Sequence, residues 1–246
     1  MRILYIDCGA GASSEMIAGS LADLLGPETA KELIDSADIP GVTVNISKTE
    51  KSGITGTRVR IDILGHEEGT EHQHIHRSLP DVLSVIDSLN IPDKVRENAS
   101  AVYGILAEAE AEVHGKPIDQ VHFHEVGALD AVTNIVFACM AVDMLNPDRI
   151  LASPVRTGFG QVRCAHGILP VPAPATASIL KGIPMYAGDC EGEFCTPTGA
   201  AILKHFAEGF ARMPAMTVDR IGYGPGRKDL EMVDMVRTFV GDASEY

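Results

Sequence analysis

The stretch RILYIDCGAGASSEMIAGSLADLL, residues 2–25, joins a strand pattern to a helix pattern through a glycine-rich turn. The apolar run at its start predicts a buried strand, and the small residues at 9–11 predict a tight turn. Ser13 or Ser14 is a suitable N-cap for a helix that continues to about Leu25. The chain is therefore expected to begin with a strand followed directly by a capped helix.

The remainder of the chain mixes strand and helix patterns without strict alternation. Strand patterns occur at 42–48, 57–64, 216–223 and 232–240. Helix patterns occur at 28–37, 79–89, 92–114, 129–145, 175–181 and 198–210. Residues 51–56 predict a turn, and the Pro- and Gly-rich part at 153–174 predicts rigid loops, because proline cannot lie inside a helix or a central strand. We expect an α/β or α+β fold with mixed sheets packed with helices.

A histidine-rich segment at 65–77 separates two parts of this pattern. It contains His72, His74 and His76. We expect an N-terminal α/β subdomain at 1–64, a His-rich loop at 65–77, and a main α/β domain with the metal site at 78–246.

The motif Val121–His122–Phe123–His124–Glu125–Val126–Gly127–Ala128 carries the strongest chemical signal. In an extended segment side chains alternate between faces, so His122 and His124 project together with Glu125 at the end. Two neutral imidazoles and a carboxylate suit a nickel-, zinc- or iron-like cation. A further histidine, His166, lies between Ala165 and Gly167. The alternative is that these are ordinary surface histidines, but three clusters together favour a metal.

The charge and apolar content of the chain limit the kinds of partner that it is expected to bind. The 246-residue chain has a formal charge of −14, which disfavours nucleic acid and anionic membranes as partners and raises the local concentration of cations. The apolar run at the N-terminus is too short for a signal peptide, and no apolar stretch is long enough to span a bilayer. We therefore expect a cytoplasmic protein.

The five cysteines are an odd number without a Cys-x-x-Cys pair, which is typical of reduced thiols in a cytosol. Cys139 lies in an apolar helix pattern and is expected in the core. Cys8, Cys164 and Cys195 lie in Gly-, His- or Thr-rich loops and are candidates for softer metal ligands.

Two loops that open helices are candidates for anion binding. The first follows the initial strand and offers Asp7, Gly11 and Ser13; the second offers Thr196, Thr198 and Gly199. Small residues let backbone N–H groups at a helix N-terminus approach a phosphate or carboxylate. A tight connection and simple helix capping explain the same residues equally well. A third glycine-rich run, 222–228, is either an anion contact or a turn between the last strands.

Several long strings of sequence resemble the LarC-type nickel-insertion family. They are the motif at 121–128, Ala165–His166–Gly167 with the Pro-rich run at 170–176, Leu180–Pro184, Thr196–Ala201 and Gly222–Tyr223–Gly224. The resemblance implies insertion of nickel into pyridinium-3,5-bisthiocarboxylic acid mononucleotide, which yields the nickel-pincer cofactor of lactate racemase. It also implies use of CTP with a divalent cation.

The chain departs from this family in its first loop and resembles the N-terminal portion of the family alone. Gly9, Ala10, Ser14 and Glu15 replace the usual residues of the family motif, while Asp7, Cys8, Gly11, Ser13 and Met16 match it. Because the resemblance does not extend to the C-terminal domain associated with CTP, we expect CTP and its cation to bind there, and activity to depend on such a partner region.

The resemblance and the histidines together define our main hypothesis, a nickel chelatase. His122, His124, Glu125 and His166 would form the catalytic delivery site, and His72, His74 and His76 an acquisition site. Expected partners are the nucleotide precursor, a separate C-terminal fragment, a lactate-racemase-type apoenzyme and a second copy in a homo-oligomer. The first alternative is a non-catalytic nickel-binding, storage or metallochaperone module. A phosphotransferase using the loop at 7–14 is a third hypothesis, disfavoured by its incomplete motif.

Overall fold

The computed structural model describes residues 1–64, 77–123, 126–227 and 232–243. In these ranges the α-helices are α1 (Ser14–Leu25), α2 (Pro27–Asp35), α3 (Leu79–Ser88), α4 (Asp93–His114), α5 (Leu129–Leu145), α6 (Pro174–Ile179) and α7 (Pro197–Phe206). The strands are β1 (Arg2–Asp7), β2 (Val42–Lys51), β3 (Ile54–Ile63), β4 (Arg77–Ser78), β5 (His122–Phe123), β6 (Arg149–Ala152), β7 (Val155–Arg156), β8 (Gly158–Phe159), β9 (Gln161–Cys164), β10 (Gly167–Pro170), β11 (Met185–Tyr186), β12 (Gly192–Glu193), β13 (Gly209–Phe210), β14 (Thr217–Pro225) and β15 (Met235–Asp242). This mixture of helices and strands confirms the predicted fold class.

The largest sheet of the described residues has five strands in the order β13-β6-β1-β15-β14. Strand β1 is parallel to β6 and antiparallel to β15, so the sheet is mixed, as predicted. The outer strands β13 and β14 pair with β6 and β15. Other strands form two-stranded pairs, among them the hairpins β2–β3 and β9–β10. Strands from both ends of the chain thus meet at β1.

The side chains of β1 alternate between two apolar clusters. Leu4 and Ile6 belong to the main core, which the helices build on one face of the sheet. Ile3 and Tyr5 point to the other face and join a small cluster with Ala243. This alternation follows from the two-residue period of a strand. The predicted buried strand is therefore confirmed.

Glycines let α1 lie unusually close to its neighbouring strands. A Cβ atom added at Gly224 would lie 2.9 Å from the Met16 carbonyl carbon, and one at Gly222 would lie 2.9 Å from Leu24 Cγ. Gly19, on the helix itself, approaches the backbone of β3 in the same way. Of the glycine-rich run predicted at 222–228 as an anion contact or a turn, Gly222–Pro225 lies inside β14, and the connection to β15 begins only at Gly226. Close packing of a helix on a strand explains its glycines.

Several elements have the predicted bounds because their local signals are strong. Ser13 is the N-cap of α1, and its side chain accepts a hydrogen bond from the Met16 backbone N–H at 3.1 Å. Helix α5 has the predicted bounds, Leu129–Leu145, and its central residues are buried. The first hairpin turns at Ser52 and Gly53, which both have positive φ angles, so both strands run further into the predicted turn.

Two predictions of secondary structure need correction. The helix predicted at 198–210 ends at Phe206, and Gly209–Phe210 forms the edge strand β13 beside β6. Glu208 helps to fix this change of direction, because its backbone N–H donates to the Ile150 carbonyl and its carboxylate contacts Arg149 at 2.9 Å. The Pro- and Gly-rich part at 153–174 contains the short strands β7 to β10 in addition to loops.

The predicted His-rich loop falls almost entirely outside the described residues, at 65–76. The predicted division of the chain there stays a prediction. The described parts on its two sides share the main core, since β3 and α1 both pack against α5. None of the helices in the described ranges is long and apolar enough to cross a membrane.

Candidate functional site

A cavity of about 430 Å³ opens between the end of α4, the β9–β10 hairpin and the beginnings of α6 and α7. Its wall includes the apolar side chains of Val126, Leu169 and Ala173. The ionisable side chains that line it are Glu110, His114, Arg163, Cys164, His166 and Glu193. A concave site with apolar walls and a few polar groups is the usual place for a small-molecule ligand.

Two imidazole rings lie next to each other at this cavity. The ring centroids of His114 and His166 are 5.0 Å apart, and the ring planes are inclined by 39°. His114 is the last residue of α4, which ends because Gly115 adopts the left-handed conformation with φ 60°. His166 lies in the two-residue connection between β9 and β10, where Cys164 pairs with Gly167. A helix end and a hairpin turn thus bring together two histidines that are distant in sequence.

A carboxylate stands beside the first of these rings. His114 Nε2 lies 3.3 Å from Glu110 Oε2, and the exposed fractions of the two side chains are 30% and 15%. Residues four apart lie on the same face of a helix, so α4 itself sets this contact. A carboxylate next to one ring nitrogen fixes the orientation and tautomer of an imidazole.

The cysteines differ sharply in their access to the cavity. Cys164 is half-buried and lines it. Cys8 and Cys195 are fully buried, and this burial raises the pKa of both thiols, in Cys8 with smaller contributions from Cys195 and Asp7. Raised pKa values disfavour the thiolate that metal binding needs. Of the three cysteines predicted as softer ligands, Cys164 is therefore the one that the structure places at the cavity.

The motif at 121–128 reaches the cavity through its second half. His122 is exposed on β5, while Val121 and Phe123 are buried, as the predicted alternation requires. His122 is not among the described residues that line the cavity. Val126 is, and its carbonyl accepts a hydrogen bond from Tyr103 Oη of α4 at 2.9 Å. The other predicted metal residues lie outside the described residues: His72, His74, His76, His124 and Glu125.

In the described ranges no three His, Cys, Asp or Glu side chains stand close enough together to hold a metal ion. His114 and His166 could supply two imidazole ligands at most from this part of the described structure. Two imidazoles bind a divalent transition metal while leaving further coordination positions for an incoming ligand.

The two predicted anion-binding loops lie side by side. Ala12 and Cys195 form a β-bridge, and Thr198 Oγ1 donates to Ser14 Oγ at 3.1 Å. Thr196 caps α7 by accepting the Gly199 N–H at 3.3 Å. A Cβ atom added at Gly199 would lie 2.8 Å from the Ser13 Cα, and one at Gly11 would lie 2.9 Å from the Phe194 Cβ.

These contacts show that the glycines let the two loops pack against each other. Asp7 accepts a hydrogen bond from the Gly9 backbone N–H at 2.9 Å and forms an ion pair with Arg237. Pro197, the first residue of α7, lines the cavity, so the second loop adjoins it. Anion binding by Asp7, Gly11, Ser13, Thr196, Thr198 and Gly199 stays a prediction.

Sequence reasoning identified His166 but missed its neighbour. The sequence patterns place Glu110 and His114 only within the helix predicted at 92–114, without a role in a site. The spacing Glu110-x-x-x-His114 was a usable signal, because it places a carboxylate and an imidazole on one helical face. Only the fold could show that His166 lies beside them.

A mixed sheet with helices packed on it, and a cavity at which two imidazole rings lie side by side, define the chain as an α/β protein. The chain belongs to the nickel insertion protein family, whose model matches residues 4–246.

Curated relatives that carry nickel-insertion names align with all or nearly all of this chain. A nickel insertion protein of Dictyoglomus thermophilum is 42% identical over 246 residues, covering 100% of this chain and 62% of the relative. The pyridinium-3,5-bisthiocarboxylic acid mononucleotide nickel insertion proteins of Desulfitobacterium hafniense DCB-2 and Clostridium kluyveri are 40% and 43% identical, covering 100% and 98% of this chain and 60% and 62% of the relatives. The chain thus spans about three fifths of the length of these relatives. No solved structure matches it.

Proposed function

We propose that this chain inserts nickel into pyridinium-3,5-bisthiocarboxylic acid mononucleotide and that the cavity beside His114 and His166 is where the reaction takes place. The proposal is carried by one combination: the family match over 4–246 and an imidazole pair at a cavity of small-molecule size. The names of the relatives supply the substrate.

The chemistry of the donors gives the transfer its direction. Imidazole binds nickel through nitrogen, whereas the two thiocarboxylates of the precursor offer softer sulfur donors. Insertion replaces nickel–nitrogen bonds by nickel–sulfur bonds, and nickel stays divalent in this exchange. The formal charge of −14 favours capture by raising the concentration of cations near the surface.

The histidines divide into two proposed roles. His72, His74 and His76 would capture nickel from solution, and this acquisition needs only a dense run of imidazoles. His122, His124, Glu125 and His166 would pass it to the precursor. Within this delivery set, His166 has the best structural support because it lines the cavity.

The phosphate of the precursor would bind at the two loops that precede α1 and α7. Helix α7 begins at the cavity wall, and backbone N–H groups at a helix N-terminus favour an anion. Thr196, Thr198 and Gly199 would contact the phosphate. Asp7, Gly11 and Ser13 belong to the adjoining loop and would hold its shape.

The complete reaction would draw on further components. We propose that CTP with a divalent cation binds in the part of the relatives that this chain does not span, and that a polypeptide corresponding to that part is a partner. The product would be delivered to a lactate-racemase-type apoenzyme. We also propose a cytoplasmic homo-oligomer, and the five free cysteines accord with a reducing compartment.

The test is a reconstitution with the purified chain, the precursor and Ni²⁺, with and without CTP and Mg²⁺, and with and without a C-terminal fragment of a longer relative. Mass spectrometry would detect the nickel-bearing mononucleotide. Product formation in the complete mixture supports the proposal. Nickel binding without product in any mixture would favour the alternative, a nickel-binding or storage module.

A further inference from the structure

We infer that His114 and His166 together ligate nickel in the cavity, and that Glu110 is the positioning residue that holds His114 in its ligating orientation. The inference rests on the proposed function only for the identity of the metal. It replaces His122 by His114 as the partner of His166.

The separation of the two rings fits a shared ion. If each ring turned a nitrogen toward one ion at about 2.1 Å, its centre would lie about 3 Å from that ion, and the separation of 5.0 Å would give an angle of roughly 100–115° at the metal. That angle describes neighbouring coordination positions. Two rings on opposite sides of an ion would have their centres about 6 Å apart on the same bond length.

Neighbouring imidazoles leave one side of the ion open toward the cavity. A closed set of four protein ligands retains its metal, whereas a site with few protein ligands keeps positions for substrate. Among the described residues no third His, Cys, Asp or Glu side chain joins this pair in an arrangement that could hold a metal ion. The sulfurs of the precursor can therefore enter without first displacing a complete protein shell.

Glu110 acts through His114. Its carboxylate lies 3.3 Å from His114 Nε2, so a proton on Nε2 places the lone pair of the ring on Nδ1, the nitrogen that would bind the metal. Glu110 is the less exposed of the two side chains, and α4 fixes its distance from His114. Carboxylates in this outer position typically contribute about 10–100-fold to metal affinity.

The test uses the full chain with His72, His74 and His76 changed to Ala, because the His-rich segment would otherwise bind nickel too. Titration calorimetry with NiCl₂ measures affinity, and X-ray absorption counts coordinated imidazoles. We expect His114→Ala and His166→Ala each to lose at least about tenfold in affinity and to retain one imidazole, since even outer residues contribute that much. Glu110→Gln should weaken binding about 10–100-fold while two imidazoles remain bound.

The matched control is His205→Gln, which removes an imidazole that contacts Asn98 and does not line the cavity. His114→Asn guards against misfolding of the Ala variant, with circular dichroism as the check. Unchanged affinity in the His114 and His166 variants would overturn the inference, as would a loss seen in His122→Ala instead. Because no precursor is present, failure of insertion in the reconstitution leaves this result intact, and the two proposals fail separately.

Discussion

Gly19→Ala tests the close packing of α1 against β3. A Cβ atom at this position would lie 2.5 Å from the Thr57 carbonyl oxygen and 3.2 Å from the Gly224 Cα. The helix and the strand must separate by about 0.5 Å before the first distance reaches 3.0 Å, below which real Cβ contacts essentially do not occur. Overpacking of this kind costs about 1–3 kcal/mol, which the higher helix propensity of alanine offsets by about 0.5–1 kcal/mol.

Gly104→Ala is the matched control, because Gly104 is also inside a helix but has no neighbouring atom within 4 Å of an added Cβ. It should stabilise the protein by about 0.5–1 kcal/mol through propensity alone. The two variants therefore differ by the packing cost of about 1–3 kcal/mol, or about 2–12 °C in melting midpoint at about 2–4 °C per kcal/mol. Differential scanning calorimetry measures both. Equal midpoints for the two variants would refute the packing argument.

Three further predictions concern buried polar groups. Asp234→Asn should destabilise the protein by about 3–5 kcal/mol in urea unfolding, because it leaves Lys51 buried without its carboxylate, the two side chains being 6% and 13% exposed. Burial lowers the pKa of His205, so the unfolded chain takes up this proton more readily and the free energy of unfolding should fall as pH drops below about 6.5. His205→Gln should make that fall less steep. Iodoacetamide should alkylate Cys164 and Cys190 in the native protein, as read by mass spectrometry. Buried thiols should react only after unfolding: Cys8, Cys139 and Cys195.

Each of these has a control within the chain. Asp35→Asn breaks an exposed ion pair with Lys31 and should cost no more than about 1 kcal/mol, so an equal effect at both positions would contradict the assignment of a buried pair. If the free energy of unfolding of His205→Gln depended on pH as it does in the parent chain, the His205 imidazole would have the same pKa in the folded and the unfolded chain, which would contradict the prediction. Rapid native alkylation at Cys8 would contradict its burial.

Local signals predicted the parts of the fold that depend on neighbouring residues. Ser13 predicted the start of α1, and the apolar run at 129–145 predicted α5 with its correct ends. Strands β6 and β13 were missed because each is short and is stabilised by pairing with residues far away in sequence. Strands of four and two residues are too short to show the pattern by which a strand is recognised in a sequence.

Sequence reasoning predicted one of the two histidines at the cavity and missed the other. Clustered histidines indicated a metal, and His166 is at the cavity. His114 was not predicted as a site residue, because a histidine in the last turn of a helix is ordinarily explained by its favourable interaction with the helix dipole. The turn that carries His166 lies near the end of α4 in a part of the fold where α4 packs against α6, the helix that follows the β9–β10 hairpin. The spacing of residues within one helix or strand cannot predict a contact between two elements that are distant in sequence.

The most direct measurement of the central claim is a single-turnover transfer from preloaded protein. The chain is loaded with one equivalent of Ni²⁺, freed of excess metal, and mixed with the thiocarboxylate mononucleotide in the complete reconstitution mixture. The nickel content of the separated nucleotide is then followed by mass spectrometry. We expect nickel to leave the protein and appear in the nucleotide, and a His114→Ala/His166→Ala variant to transfer little or none. Nickel that stays on the parent chain, or transfer that is equally fast in the variant, would contradict nickel insertion at this cavity.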